Sequence, residues 1–125
     1  MALVRSRGGK STERKVRALL MRRGVRGWTM NDASVPGCPD FVFHSQKRAL
    51  FIDGCFWHGC PVCRRPMPRA NARYWRSKIH GNVARAKLID KTLKARGFRV
   101  TRLWEHELRP GVWTRVVPKL LAILS

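Results

Sequence analysis

Three cysteines fall within a stretch that cannot be regular structure for long. Cys55, Cys60 and Cys63 are spaced Cys-x4-Cys-x2-Cys, with Gly54, Gly59, Pro61, Pro66 and Pro68 around them. Glycine and proline at this density end helices and strands, so the segment needs a fastening other than a backbone ladder. The N-terminal residues lack an apolar stretch followed by a small-residue cleavage site, and in such a chain clustered thiols bind metal more readily than they pair oxidatively. Three thiolates leave a tetrahedral zinc ion one ligand short. Cys38, His58, His80 and His106 can supply the fourth. His106 would tie the loop back to the far end of the chain, but spacing alone does not choose among them. Cys38, in Pro36-Gly37-Cys38-Pro39, reads as a small buried thiol.

Charge limits the partners. The 125 residues carry 27 Lys and Arg against 7 Asp and Glu, a formal net charge of +20. A field of that sign and size in a small domain fits a polyanion, with nucleic acid first and an anionic membrane surface second. No run of apolar residues is long enough to span a bilayer, which excludes a membrane protein and leads to the expectation of a soluble, intracellular one. The length fits one domain. Residues 1–10 read as a basic, mobile N-terminal arm and residues 11–125 as the folded domain.

The periodicity predicts helix, strand, strand, helix, strand, helix. Val16, Leu19 and Leu20 mark a helix opened by Ser11 or Thr12 and closed near Gly24. Trp28 and a turn-rich stretch to Pro39 follow. Phe41 to Phe43 and Ala49 to Ile52 then read as a hairpin around the polar turn His44 to Arg48. Trp75, Ile79, Val83, Ala86, Ile89 and Leu93 form a helix stripe between Asn71 and Arg96, with Gly81 as a point where it could break. Phe98 to Trp104 reads as a third strand, and Thr114 to Leu124 as a helix well formed only after Pro118. The expected fold class is α/β, a small mixed sheet flanked by helices.

Asp40 stands at the mouth of the first hairpin strand and Asp53 at the end of the second, so the pairing can bring both carboxylates to neighbouring strand ends. In a chain with so few acids, such a pair suits Mg²⁺, which takes one or two carboxylates and completes its shell with water and substrate phosphate. The plainer reading is that Asp40 caps a turn. His58, inside the cysteine loop at ligand-like spacing, reads as a zinc candidate. Phe56 and Trp57, like most aromatic pairs, can be core.

Four runs carry a resemblance. Asp32-Ala33-Ser34-Val35-Pro36-Gly37-Cys38-Pro39-Asp40-Phe41-Val42 comes first, then Asp53-Gly54-Cys55-Phe56-Trp57-His58-Gly59-Cys60-Pro61. Tyr74-Trp75-Arg76-Ser77-Lys78-Ile79 with Asn82, and Gly97-Phe98-Arg99-Val100 with Leu103-Trp104-Glu105, complete the set. In this order, over about residues 11–109, the chain resembles the very short patch repair (Vsr) endonucleases, and Gly-Cys-Phe-Trp-His is the most specific run. The resemblance implies a restriction-endonuclease-like, PD-(D/E)XK core with a structural zinc site. It implies a Mg²⁺-dependent enzyme that nicks one DNA strand 5′ to the thymine of a T:G mismatch. It puts Asp40 on the Mg²⁺-binding aspartate, with Asp53 as a second carboxylate where the best-known family member has histidine. His58 falls on the general base, and Glu13 on a glutamate that orders the metal's waters. Cys55, Cys60, Cys63 and His106 fall on the zinc ligands, Phe56 and Trp57 on the aromatics that wedge into DNA. The arm ahead of the first helix is reduced to Met1 to Lys10. The implied setting is a bacterial cytoplasm at the nucleoid, as a monomer on mismatched double-stranded DNA, open to repair-protein partners. Two rivals remain at this point: a nuclease of the same fold used in restriction or mobile-element defence without mismatch specificity, and a zinc-stabilised DNA-binding module without cleavage.

Overall fold

The computed structural model describes residues 10–56, 58–63 and 68–124. The arm expected at 1–10 lies outside them except for Lys10, which is helical. In chain order the elements are α1 (Lys10–Arg22), β1 (Trp28–Met30), β2 (Phe41–Phe43), β3 (Arg48–Asp53), α2 (Ala72–Ala95), β4 (Arg99–Trp104), a 3-10 turn (Glu105–Leu108) and α3 (Pro110–Leu124). The strands form one mixed sheet in the order β1-β2-β3-β4. The first three are antiparallel neighbours, and β3 pairs parallel to β4, with Arg48 opposite Arg99 and Asp53 opposite Trp104.

Parallel pairing of β3 and β4 requires a crossover, and α2 supplies it. The sheet is therefore covered on both faces, and β3 reads as the unbroken apolar run Ala49-Leu50-Phe51-Ile52 expected of a strand with no solvent side. Its alternation sorts the run between two cores. Leu50 and Ile52 join Val16, Leu19 and Leu20 of α1 and Leu120 and Leu124 of α3. Ala49 and Phe51 join Val42 and Leu93, with Ile89, Phe98 and Val100 packed around them.

Two helix ends aim the strands. Gly24, at φ 68°, ends α1, with Val25 N–H donating to Leu20 O and Gly24 N–H to Met21 O. Gly97, at φ 86°, ends α2 the same way, with Phe98 N–H on Leu93 O and Gly97 N–H on Lys94 O. Both are the paired bonds of a left-handed helix terminus, for which glycine is the favoured residue.

Four expectations change. The stretch after Trp28 contains a strand, β1, whose only ladder is with β2. β3 begins at Arg48, inside the turn expected there. Gly81 does not break α2, which runs through it. α3 begins at Pro110, where a missing N–H costs nothing, and continues through Pro118, whose ring faces solvent while Leu120 is buried. Among the described residues, no helix is long and apolar enough to cross a membrane.

Candidate active site

The period of two along each strand decides what meets beneath α2. Val42 and Ala49 belong to the α2-side core, so Asp40, Asp53 and Arg102, each an even number of residues from Val42, Ala49 or Val100 on its strand, present to that same face. They line one cleft together with His58, Asn82, Arg85 and Ile89.

Asp40 is 1% exposed, and its Oδ2 accepts the N–H of Ile52 at 2.7 Å. That bond crosses from β3 to the strand mouth of β2 and fixes the carboxylate. Asp53 is 7% exposed. Burial pushes its carboxyl above the ordinary range, against the pull of Arg102 and His58. Arg102 Nη1 donates to Asp53 Oδ1 at 2.9 Å, and His58 Nε2 lies 3.9 Å from the same oxygen. His58 is carried by a tight turn, its N–H on Gly54 O. Two acidic oxygen donors on one cleft wall match what a hard divalent cation takes from protein. Asn82, 4% exposed, accepts from Arg85 Nη2.

Sγ of Cys55, Cys60 and Cys63 and a ring nitrogen of His106 lie within 4.8 Å of one another. Cys55 Sγ is 3.4 Å and Cys60 Sγ 3.6 Å from His106 Nδ1. Zn–S and Zn–N bonds of about 2.3 and 2.1 Å set tetrahedral sulfur-to-nitrogen edges near 3.6 Å, so this set has the dimensions of a closed four-ligand site. Burial pushes the Cys55 thiol up to about 12. At Cys60 burial acts the same way, but the N–H groups of Cys63 and Val62 outweigh it and draw the thiol below its usual value. A cluster of this kind carries thiolate charge when a cation shares it. Of the four candidates for the fourth ligand, His106 is the one in the set. His58 faces the cleft, His80 is exposed, and Cys38 is half-buried at φ 48°, not the buried thiol expected.

Glu13 sits half-buried on the first turn of α1 and is not among the residues that line the cleft. Phe56 is half-buried and meets Trp75 edge-to-face, ring centroids 6.0 Å apart; Trp75 meets Tyr74 at 5.0 Å. Trp57 lies outside the described residues. Arg102, Arg85 and Asp90 were not picked out from the sequence. A signal for Arg102 was there: it occupies an inward position of β4 between Val100 and Trp104, where a lone charge calls for a buried partner.

The family model for DNA mismatch endonuclease Vsr matches residues 1–64 of this chain. The chain is 41% identical over 106 residues to the type II nicking enzyme V.NaeI of Lentzea aerocolonigenes, covering 81% of this chain and 63% of that enzyme. It is 39% identical over 108 residues to the type II nicking enzyme V.XorIIP of Xanthomonas oryzae pv. oryzae, covering 86% and 78%. To the DNA mismatch endonuclease Vsr of Escherichia coli it is 35% identical over 97 residues, covering 78% and 62%. The match thus spans just under two-thirds of the first and third relatives and over three-quarters of the second.

Proposed function

Because the chain belongs to the Vsr family of DNA mismatch endonucleases, we propose that it is a DNA endonuclease that nicks one strand 5′ to the thymine of a T:G mismatch. The domain is residues 11–125, built on a restriction-endonuclease-like core. The observation that carries the reading is the convergence of Asp40, Asp53 and His58, from three separate positions in the chain, on one cleft in a protein of net charge +20.

Asp40 is the carboxylate that would hold Mg²⁺. When bound, the ion offsets charge on the scissile phosphate and on the leaving oxygen. His58, its side chain 11% exposed beside Asp53, takes the proton of the attacking water. Arg85, exposed at the cleft, meets the phosphodiester backbone. Glu13, off the cleft wall, acts on it through water. Cys55, Cys60, Cys63 and His106 would hold a zinc ion, which would fasten the loop that carries His58. Phe56 and Trp57 enter the stack where pairing is already weak, since a mismatch lowers the cost of unstacking.

Duplexes differing only in a single T:G or T:A pair, incubated with and without Mg²⁺, test the reading. A mapped nick on the T strand of the mismatched duplex alone, dependent on Mg²⁺, is the expected result; equal cutting of both would assign a nuclease without mismatch specificity. Asp40→Ala should abolish nicking and leave duplex binding nearly intact or tighter, since it removes a negative charge that faces phosphate. Nicking by that variant near the normal rate would exclude this cleft.

A further inference from the structure

Arg102 is a cation inside a cleft meant for a cation. Its Nε donates to Asp90 Oδ1 at 2.9 Å and to Oδ2 at 3.2 Å, and its Nη2 lies 2.7 Å from Asp90 Oδ1. Nη2 also donates to Ala86 O at 3.3 Å, and Nη1 reaches Asp53 Oδ1. The guanidinium carbon lies 4.2 Å from the centroid of the Phe51 ring. The edges of the fork that face α2 and β3 are engaged and its plane rests on an aromatic, which fixes an arginine as few arrangements can.

The Asp53 oxygen that Arg102 holds is the one that faces His58. Resting on the reading of the cleft as a nuclease site, we propose that Arg102 is a positioning residue: braced by Asp90, it holds Asp53 as the acceptor that orients His58, which leaves Asp40 as the carboxylate for the divalent ion. A Mg²⁺ ion on Asp53 Oδ1, at a bond length of about 2.1 Å, would stand within about 5 Å of a guanidinium nitrogen, and the two positive charges would repel. At Asp40 the N–H of Ile52 holds Oδ2 at 2.7 Å, which fixes the direction of the other carboxylate oxygen. At 3.9 Å the Asp53–His58 contact is longer than a hydrogen bond, and catalytic contacts of this length tighten on substrate binding.

The whole protein, titrated with Mn²⁺ and followed by the electron paramagnetic resonance signal of the free ion, separates the two carboxylates without needing cleavage. Asp53→Asn should bind Mn²⁺ within about twofold of the unsubstituted protein, whereas Asp40→Asn should lose about tenfold or more, as ligand loss does. Arg102→Met should bind Mn²⁺ more tightly, because Asp53 is released. On a T:G duplex, Asp53→Asn and Arg102→Met should nick about 10- to 100-fold more slowly, in kcat with KM unchanged, the size of effect that orienting partners have. Arg102→Lys, which restores charge but not the fork, should recover only part of kcat. Loss of Mn²⁺ affinity in Asp53→Asn equal to that in Asp40→Asn would overturn the proposal, as would normal kcat in a folded Arg102→Met. If Arg102→Met does not fold, the comparison of the two carboxylate variants decides. If the unsubstituted protein nicks no duplex, the nuclease reading fails, and the Mn²⁺ titrations still decide which carboxylate binds the ion.

Discussion

Gly37 shows how closely a single residue can be tied to the cleft. It adopts φ 81°, and a Cβ built there would stand 2.5 Å from Ile89 Cγ2 on α2. Both residues line the cleft, and Asp40 is three positions on. Gly37→Ala should therefore destabilise the protein by about 1–3 kcal/mol, from backbone strain and overpacking together, and slow nicking by displacing Asp40. Adding Ile89→Ala, which removes Cγ2, should relieve the overpacking share and not the strain share, read in urea midpoint against Ile89→Ala alone. At this scale the sequence was informative where chemistry is local. The Pro-Gly-Cys-Pro-Asp run and the cysteine spacing marked the buried Asp40 and the clustered thiols directly. Asp90 was silent because its meaning lies in Arg102, twelve residues away across a helix-to-strand turn, and one charge on a helix looks the same whether it faces water or a part-buried arginine; Arg102 was signalled only by its inward position on β4.

Among the elements, the loop between β3 and α2 would, on the proposed zinc site, depend on its ligands more than on its backbone. Cys60→Ala or His106→Ala should lose one bound Zn²⁺ by elemental analysis and with it cooperative unfolding, since structural zinc binding is folding free energy. Full zinc retention by His106→Ala with loss in His58→Ala would assign the fourth ligand to His58 instead. Helix and strand positions followed from period where burial was one-sided or continuous, as in α1, α2 and β3. The short strand β1 did not, because Trp-Thr-Met between Gly27 and Asn31 is too brief to carry a period. What makes it a strand is its ladder to β2, Trp28 opposite Phe43 and Met30 opposite Phe41, which is tertiary information. α3 was misplaced for the opposite reason: proline's cost is real, but Trp113, Val116 and Val117 before it and Leu120 and Leu124 after it pack on one core and outweigh it.

For the whole molecule, charge governs encounter and the cleft governs outcome. Affinity for any duplex should fall linearly on a log–log salt plot with a slope of about −0.9 per phosphate neutralised. Arg85→Ala should make the slope shallower by about one, measured by anisotropy across a salt series with matched DNA. An unchanged slope would remove Arg85 from the phosphate contacts.

The parallel β3–β4 pairing bears on when the enzyme comes into being. Arg102 and Asp53 are 49 residues apart in the chain, and their meeting waits until the long crossover has closed, with its loop entropy lost before the sheet contacts can compensate. α1 and the β2–β3 hairpin can form from near neighbours. The cleft, which draws on β2, β3, α2 and β4 at once, can only be complete when the slowest contact of the fold is made, so on the proposed function a partly folded chain would bind DNA by its charge before it could cut it.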